Sequence, residues 1–213
     1  MGAGLTPTET ARKRYDRIAP LYDMMEGFAE VLNRGRWRGL QWNKVEGTDI
    51  LEVGVGTGKN FPWYPAGAEV MAIDFSQRML ERARARSERN KVKVRLRGMD
   101  VQNLEFGDDS FDTVVASFVF CSVPDPIRGL REILRVCRPG GKVILLEHVL
   151  SANRVLARLM NLVNPLAVRM MGANINQRTV DNVVGSGLTI EKVTDLGGGV
   201  FKLIEARKTA TPS

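Results

Sequence analysis

A chain of 213 residues, 44% hydrophobic and 26% charged, has room for one domain with a sizeable core and is too ordinary in composition for a disordered or fibrous protein. Lysine and arginine outnumber the acids 31 to 24, a net charge of +7; this favours anionic partners such as lipid head groups, nucleic acid or an acidic metabolite, and fits a generally basic surface equally well. Two cysteines, Cys121 and Cys137, make neither a disulfide framework nor a close metal-type pair, so no metal site is expected.

No apolar run reaches about 18 residues, and the start lacks the basic-then-apolar pattern of a secretory signal. A cytoplasmic place, or one on the cytosolic face of a membrane, is expected. Residues 8–18 read as a helix with Thr8 as N-cap, interrupted at Pro20; residues 21–40 read as a second helix. "TDILEVGV" reads as a buried strand running into glycines, and "AEVMAIDFS" as a second strand ending in Asp74. Residues 76–88 read as a polar helix capped by Ser76. "KVKVRLRGMD" alternates with period two and reads as a third strand; "FDTVVASFVF" reads as a fourth. "PIRGLREILRVCRP" is an amphipathic helix stopped by Pro139, and "GGKVILLEHVL" a fifth strand. Residues 153–171 read as an apolar helix carrying arginines and broken near Pro165. Residues 179–186 read as a helix ending at Gly187. "LTIEKVTDL" and "VFKLIEARK" form a closing hairpin, which must be antiparallel.

Strands alternating with helices imply a mostly parallel sheet covered on both faces, with ligands at the carboxyl ends of the strands. Gly54, Gly56 and Gly58 follow the first strand, where bare backbone can approach a ligand closely. The dinucleotide fingerprint needs a third glycine at position 59, which holds Lys59; the P-loop needs Ser or Thr after Lys59, which is followed by Asn60. Asp74, at the end of the next strand, suits the two hydroxyls of a ribose, and on its own leaves open which nucleoside cofactor is bound.

The pieces "LEVGVGTG", Asp74, "GMDVQNL", "FDTVVAS" and "LREILRVCRPGGKVILLEH", in this order, resemble the class I S-adenosylmethionine-dependent methyltransferases over residues 49–208. The resemblance implies an α/β, Rossmann-like fold with a seven-stranded, mostly parallel sheet and an antiparallel final strand. It implies S-adenosyl-L-methionine as cofactor. Glu52, Gly54, Gly56 and Gly58 would cradle its methionine half; Asp74 would hold the ribose and Phe75 would lie beside the adenine. Asp100 would accept from the adenine amino group, Val101 would offer its backbone amide, and Ser117 would lie near the sulfonium. Residues 1–45 are then a helical lid or substrate segment, and 46–213 the methyltransferase domain, with a helical insertion at about 152–175.

Methyl transfer needs alignment and exclusion of water more than a covalent catalyst, although a modest base helps an amine, phenol or thiol nucleophile. His148, the one histidine, ends the fifth strand beside Glu147; it fits a base or a structural role. Tyr15 and Tyr22 are further candidates, in a segment "YDRIAPLYD" that resembles the N-terminal motif of lipid- and quinone-modifying members; there the first tyrosine approaches the cofactor's methionine.

Two stretches outside the common fold are expected to carry specificity. "NRGRWRGLQW" sets Arg34, Arg36 and Arg38 near Trp37 and Trp42, which suits a membrane interface. "NRVLARLMNLVNPLAVRMM" carries Arg154, Arg158 and Arg169 and could lie on a bilayer or form an apolar lid; core packing fits either stretch as well. "EVGVGTGKNFPWYP" and "GANINQRTV" resemble a group around phospholipid N-methyltransferases, quinone-biosynthesis C-methyltransferases and thiol methyltransferases. Pro62 and Pro65 cut short the helix usual after the glycines. Asn174, Asn176 and Arg178 could hold a head group. The expected reaction is N-methylation of a phospholipid amine, phosphatidylethanolamine above all, at an anionic membrane surface. C-methylation of a quinone precursor, S-methylation of a small thiol, and a nonenzymatic cofactor-binding role are the alternatives. No nucleic-acid partner is expected, because no RNA-binding module or base-methylating motif is present. The sequence leaves the oligomeric state open.

Overall fold

The computed structural model describes residues 6, 8–10, 12, 13, 16, 35–171 and 173–209. Helix α1 (Gly35–Trp42) leads into strand β1 (Asp49–Val53). The chain continues through β2 (Glu69–Asp74), α2 (Gln77–Asn90), β3 (Arg95–Gly98), β4 (Phe111–Ser117), α3 (Pro126–Val136) and β5 (Cys137–His148). Helices α4 (Arg154–Met171) and α5 (Thr179–Ser186) precede the hairpin β6 (Thr189–Gly197) and β7 (Phe201–Arg207).

One sheet of seven strands runs β3-β2-β1-β4-β5-β7-β6. The pairs β1–β2, β1–β4, β2–β3 and β4–β5 are parallel; β7 is antiparallel to both β5 and β6. Because β2 and β4 lie on opposite sides of β1, the strand order reverses there, and a crevice forms beyond the carboxyl ends of these strands. Alternate residues of each strand feed two cores. Leu51, Val53, Val114 and Ile204 pack with Leu130 and Ile133 of α3 and Val183 of α5. Ala72 packs with Leu80 and Ala83 of α2, while Ile50 and Val115 pack with Trp42 of α1. The central strands are therefore apolar on both faces, which explains their unbroken hydrophobic runs.

Local chemistry sets the boundaries. Ser76 caps α2 by accepting from the Met79 N–H at 3.2 Å, as its type and place predict. Gly187 ends α5 in the left-handed region, at φ +96°. The first helix is capped two residues earlier than Thr8: the Thr6 hydroxyl accepts from the Glu9 N–H at 3.2 Å, and Glu9 accepts from the Thr6 N–H at 2.7 Å, a reciprocal capping box. Helix α3 stops at Val136 rather than at Pro139, because Cys137 is already extended and pairs with Phe111. Helix α4 runs through Pro165 without a break. Proline removes one helical hydrogen bond, and Pro165 lies on an exposed part of the helix. The expected second helix, residues 21–40, lies largely outside the described residues; its end is α1.

Burial corrects one expectation. Trp42 is 2% exposed and packs against Tyr64 in a tilted pair with ring centroids 4.6 Å apart. Arg38 is 6% exposed and donates to Asn60 Oδ1 at 2.9 Å. Neither side chain is available to a membrane, because α1 lies against the sheet rather than outside it. Arg36 is exposed and Trp37 half-buried; Arg34 lies outside the described residues.

Candidate active site

The glycine turn at the end of β1 is locked to β2 by three bonds. The N–H groups of Gly54 and Val55 donate to the Ile73 carbonyl at 2.8 and 3.0 Å, and the Gly56 N–H donates to Asp74 Oδ2 at 2.9 Å. Asp74 Oδ1 accepts from the Ser76 N–H at 2.9 Å. Gly54 and Gly56 adopt φ +70° and +55°, where glycine is free of strain. A Cβ on Gly54 would meet the Val119 side chain at 2.4 Å, whereas a Cβ on Gly56 would enter open space. That open space is the crevice itself, which Gly56 lines.

Gly54, Gly56, Asp74, Phe75, Asp100, Val101 and Ser117 all line this cleft. Ile73, Met79, Met99 and Val119 add apolar wall, while Thr8, Gln102 and Ser122 add polar groups that sequence reasoning missed. Gln102 organises the far end: its N–H and side-chain amide both donate to Asp100, at 2.9 to 3.1 Å, and its oxygen accepts from the Asp125 N–H. The same amide reaches Thr8 Oγ1 at 3.1 Å, bringing the N-terminal helix to the cleft. Burial pushes the Asp74 carboxyl up to about 6, against the pull of its backbone donors.

Glu52 is 1% exposed and lies beneath the cleft wall, with both oxygens engaged. Asn60 donates to Oε1 at 2.6 Å, and the Tyr64 hydroxyl donates to Oε2. Burial raises the Glu52 carboxyl to about 7. Asn60 also donates to Ser117 Oγ at 3.1 Å, and Ser117 donates to Gln41 Oε1 at 2.6 Å. Gln41, fully buried, in turn donates to the Ala116 and Ile144 carbonyls. Through this network α1 and the post-glycine turn support the end of β4. Gly58 sits outside the cleft lining, turned so that a Cβ would strike Phe61 at 2.3 Å. Asn60 and Gln41 carried no motif; their only signal was a polar side chain inside an otherwise apolar or glycine-rich context.

Beyond Ser117 the chain takes a strained step. Phe118 has φ +58°, a region that non-glycine residues rarely occupy and that clusters at functional sites. Phe118 lines the cleft, and its ring meets Phe201 edge-on at 6.4 Å; Phe201 also packs on Trp37 at 5.0 Å and on His148 at 5.1 Å. Arg38 lies 5.4 Å over the Phe118 ring. His148 therefore belongs to a half-buried aromatic cluster next to the cleft rather than to the cleft lining. Beside it, Glu147 is fully buried; its Oε1 accepts from the N–H groups of Val119 and Phe120 at 2.9 and 3.1 Å, and burial raises its carboxyl to about 8.

Asn174 faces inward: its N–H donates to the Cys121 carbonyl at 2.7 Å and its Oδ1 accepts from Asn164 at 3.1 Å. Asn176 bonds Asn161 of α4 at 2.9 Å. Arg178 is exposed, at the N-cap position of α5. Tyr15 and Tyr22 lie outside the described residues; of their segment Asp16 is described, accepting from Ser76 Oγ at 2.6 Å.

A doubly wound sheet with a glycine turn, a strand-end acid and a cleft at the point of reversal defines a Rossmann-like protein that binds a nucleoside cofactor. The open side of Gly56, the paired acids Asp74 and Asp100 and the apolar wall between them fit an adenosine carrying an amino-acid tail. Residues 51–145 match the family described as a methyltransferase domain. A phosphatidylethanolamine N-methyltransferase of Cereibacter sphaeroides is 41% identical over 142 residues, 66% of this chain and 68% of that protein. A demethylmenaquinone methyltransferase of Renibacterium salmoninarum is 36% identical over 145 residues, 66% of this chain and 59% of that protein. Among solved structures, the cyclase SpnF superposes with a TM-score of 0.77 at 17% identity over 99% of both chains. An S-adenosylmethionine-dependent methyltransferase of Mesorhizobium loti gives 0.61 at 23% identity over 77% of this chain and 92% of that one. The chain belongs to the S-adenosylmethionine-dependent methyltransferases.

Proposed function

We propose that this methyltransferase acts on a lipid-type acceptor, the amine of phosphatidylethanolamine above all. The observation that carries the reading is the half-buried cluster of Trp37, Phe118, Phe201 and His148, which reaches the cofactor cleft through Phe118. Such a wall strips water from an amine and orients it, which is most of what methyl transfer asks of a protein.

When bound, S-adenosylmethionine supplies a methyl group already activated by a positive sulfur. Asp74 and Asp100 would hold its nucleoside, and the Gly54–Gly58 turn its methionine half. The Glu52–Asn60–Ser117–Gln41 network keeps the floor of the cleft rigid at the end of β4. His148, packed on Phe201 beside the cleft, is proposed to take the proton that an ammonium must lose before it can attack, and Tyr15 and Tyr22 to complete the acceptor side. Phosphatidylethanolamine is favoured because the relative of that name shares 41% of its matched residues with this chain. No helix among the described residues is long and apolar enough to cross a membrane, so the head group would be reached from the surface.

A flat quinone precursor would stack on the same aromatic wall, and a relative named for demethylmenaquinone supports this second reading. Incubation with methyl-labelled cofactor and either detergent-dispersed phosphatidylethanolamine or a demethylated quinone separates the two. Label in the lipid amine supports the first; label confined to the quinone ring overturns it.

A further inference from the structure

Helix α4 carries five large apolar side chains that the fold leaves in solvent: Val155, Leu159, Leu162, Val163 and Leu166, with Val155 76% and Leu162 78% exposed. At about 100° per residue they fall within an arc of roughly 100°. The anchoring residues Met160 and Ala167 follow the opposite border of the stripe and are buried. Arg154, Arg158 and Arg169, all exposed, follow one border of the apolar stripe, and the helix contains no acid. Its start is secured by Asn153, whose Oδ1 accepts from the N–H groups of Val155 and Leu156 at 2.9 and 3.2 Å. An apolar stripe bordered on one side by arginines alone matches a surface with a greasy interior and anionic heads.

The helix is also wired to the site. Asn164, on the inner side of α4, donates to Asn174 Oδ1 at 3.1 Å and accepts from the Ile175 N–H at 2.8 Å. Asn174 donates its backbone N–H to the Cys121 carbonyl at 2.7 Å. Cys121 stands in the loop whose Phe118, Val119 and Ser122 wall the cofactor cleft.

We propose that the outer face of α4 is the surface by which the enzyme docks on an anionic lipid bilayer, and that the Asn164–Asn174–Cys121 ladder holds the docked helix in register with the cleft. The proposal rests on the lipid-acceptor reading and names the partner surface for it. Docking there sets the loop after β4 facing the head groups, so that a lipid amine enters the cleft without leaving its bilayer. The basic stripe supplies long-range attraction, and the five apolar side chains supply insertion.

The test uses the full chain and vesicles of phosphatidylglycerol mixed with phosphatidylcholine, against vesicles of phosphatidylcholine alone. The protein should co-sediment with the anionic vesicles and stay in solution with the neutral ones. The double variant Leu159→Glu/Leu162→Glu should lose at least tenfold in vesicle affinity while its melting temperature and its titration with S-adenosylhomocysteine match the wild type. Replacing the three arginines by glutamine should weaken anionic binding by about a hundredfold. Asn164→Ala should keep vesicle binding but lower turnover on vesicle-borne acceptor severalfold; unchanged turnover would overturn the ladder. The docking surface is overturned if the wild type ignores anionic vesicles, or if the double variant binds them as well as the wild type. It is also overturned if sedimentation shows a lipid-free dimer that the double variant dissolves, since the stripe would then be a subunit contact. Transfer to detergent-dispersed phosphatidylethanolamine separates the two claims: vesicle binding without transfer would remove the acceptor and leave the docking surface, and transfer without vesicle binding would do the reverse.

Discussion

The Gly56 N–H points at Asp74 Oδ2 across 2.9 Å, so the glycine turn of β1 and the acid of β2 form one rigid corner of the cofactor cleft. In the proposed cofactor pose the same carboxylate accepts both ribose hydroxyls, which it does most strongly when ionised. Burial places its pKa at about 6 in the ligand-free protein. Cofactor affinity is therefore expected to be flat above about pH 7 and to fall as pH drops through 6, by up to about tenfold per unit well below it. Calorimetric titration with S-adenosylhomocysteine between pH 5 and pH 8, conditions chosen to span about one unit or more on either side of that value, measures this. Asp74→Asn should lower affinity by roughly 10- to 100-fold and remove the acid-side slope.

The glycines separate by what surrounds them. Gly56→Ala places a methyl in the open cleft, so the variant should fold, at a cost of about 1 kcal/mol for its positive φ, and lose cofactor binding. Gly54→Ala drives the methyl into Val119, and Gly58→Ala into Phe61, so both should lose stability as well. Thermal melts alongside ligand titrations distinguish the two patterns.

Glu147 gives a stability signature with the opposite sign to a salt-bridged acid. Its folded pKa, about 8, lies above the ordinary carboxylate value, so the folded protein holds this proton more tightly than the unfolded chain does. Stability from this group is full below about pH 4 and is lost as pH rises toward 8. Glu147→Gln keeps an oxygen for the Val119 and Phe120 N–H groups and cannot ionise. The variant should come close to the wild type near pH 5 and exceed it at pH 9 by on the order of 4 kcal/mol, read as a flatter profile of Tm against pH.

Asn60 bridges Arg38, Glu52 and Ser117, and its side chain is buried. Asn60→Ala leaves three buried polar groups short of a partner. Loss of about 2–4 kcal/mol of stability is expected, together with weaker cofactor binding as the end of β4 loosens. Denaturant unfolding with and without S-adenosylhomocysteine tests both effects.

Much of this architecture was legible in the residues. The apolar runs of β1 and β4, the glycine spacing and the acids at the ends of β2 and β3 announce a nucleoside-binding sheet, because each reports a local requirement of backbone or burial. The reversal of Cys137 from helix to strand was not legible, since it depends on Phe111 across the sheet. Nor was the inward packing of Arg38 and Trp42, whose composition suits a membrane interface equally well until the sheet behind them is seen. Gln41 and Asn60 escaped for the same reason: their partners are 75 and 57 residues away, at Ala116 and Ser117. The apolar character of α4 was visible in sequence, but which of its faces stays in solvent is decided by Met160, Ala167 and the asparagine ladder.

The acceptor is the centre of the account, and mass spectrometry of the lipids after incubation with S-adenosylmethionine and phosphatidylethanolamine vesicles tests it most directly. A gain of one or more methyl groups on the ethanolamine nitrogen is predicted, abolished by Asp74→Ala. An unchanged head group, from enzyme that demonstrably binds the cofactor and methylates a quinone precursor in the same mixture, would contradict it.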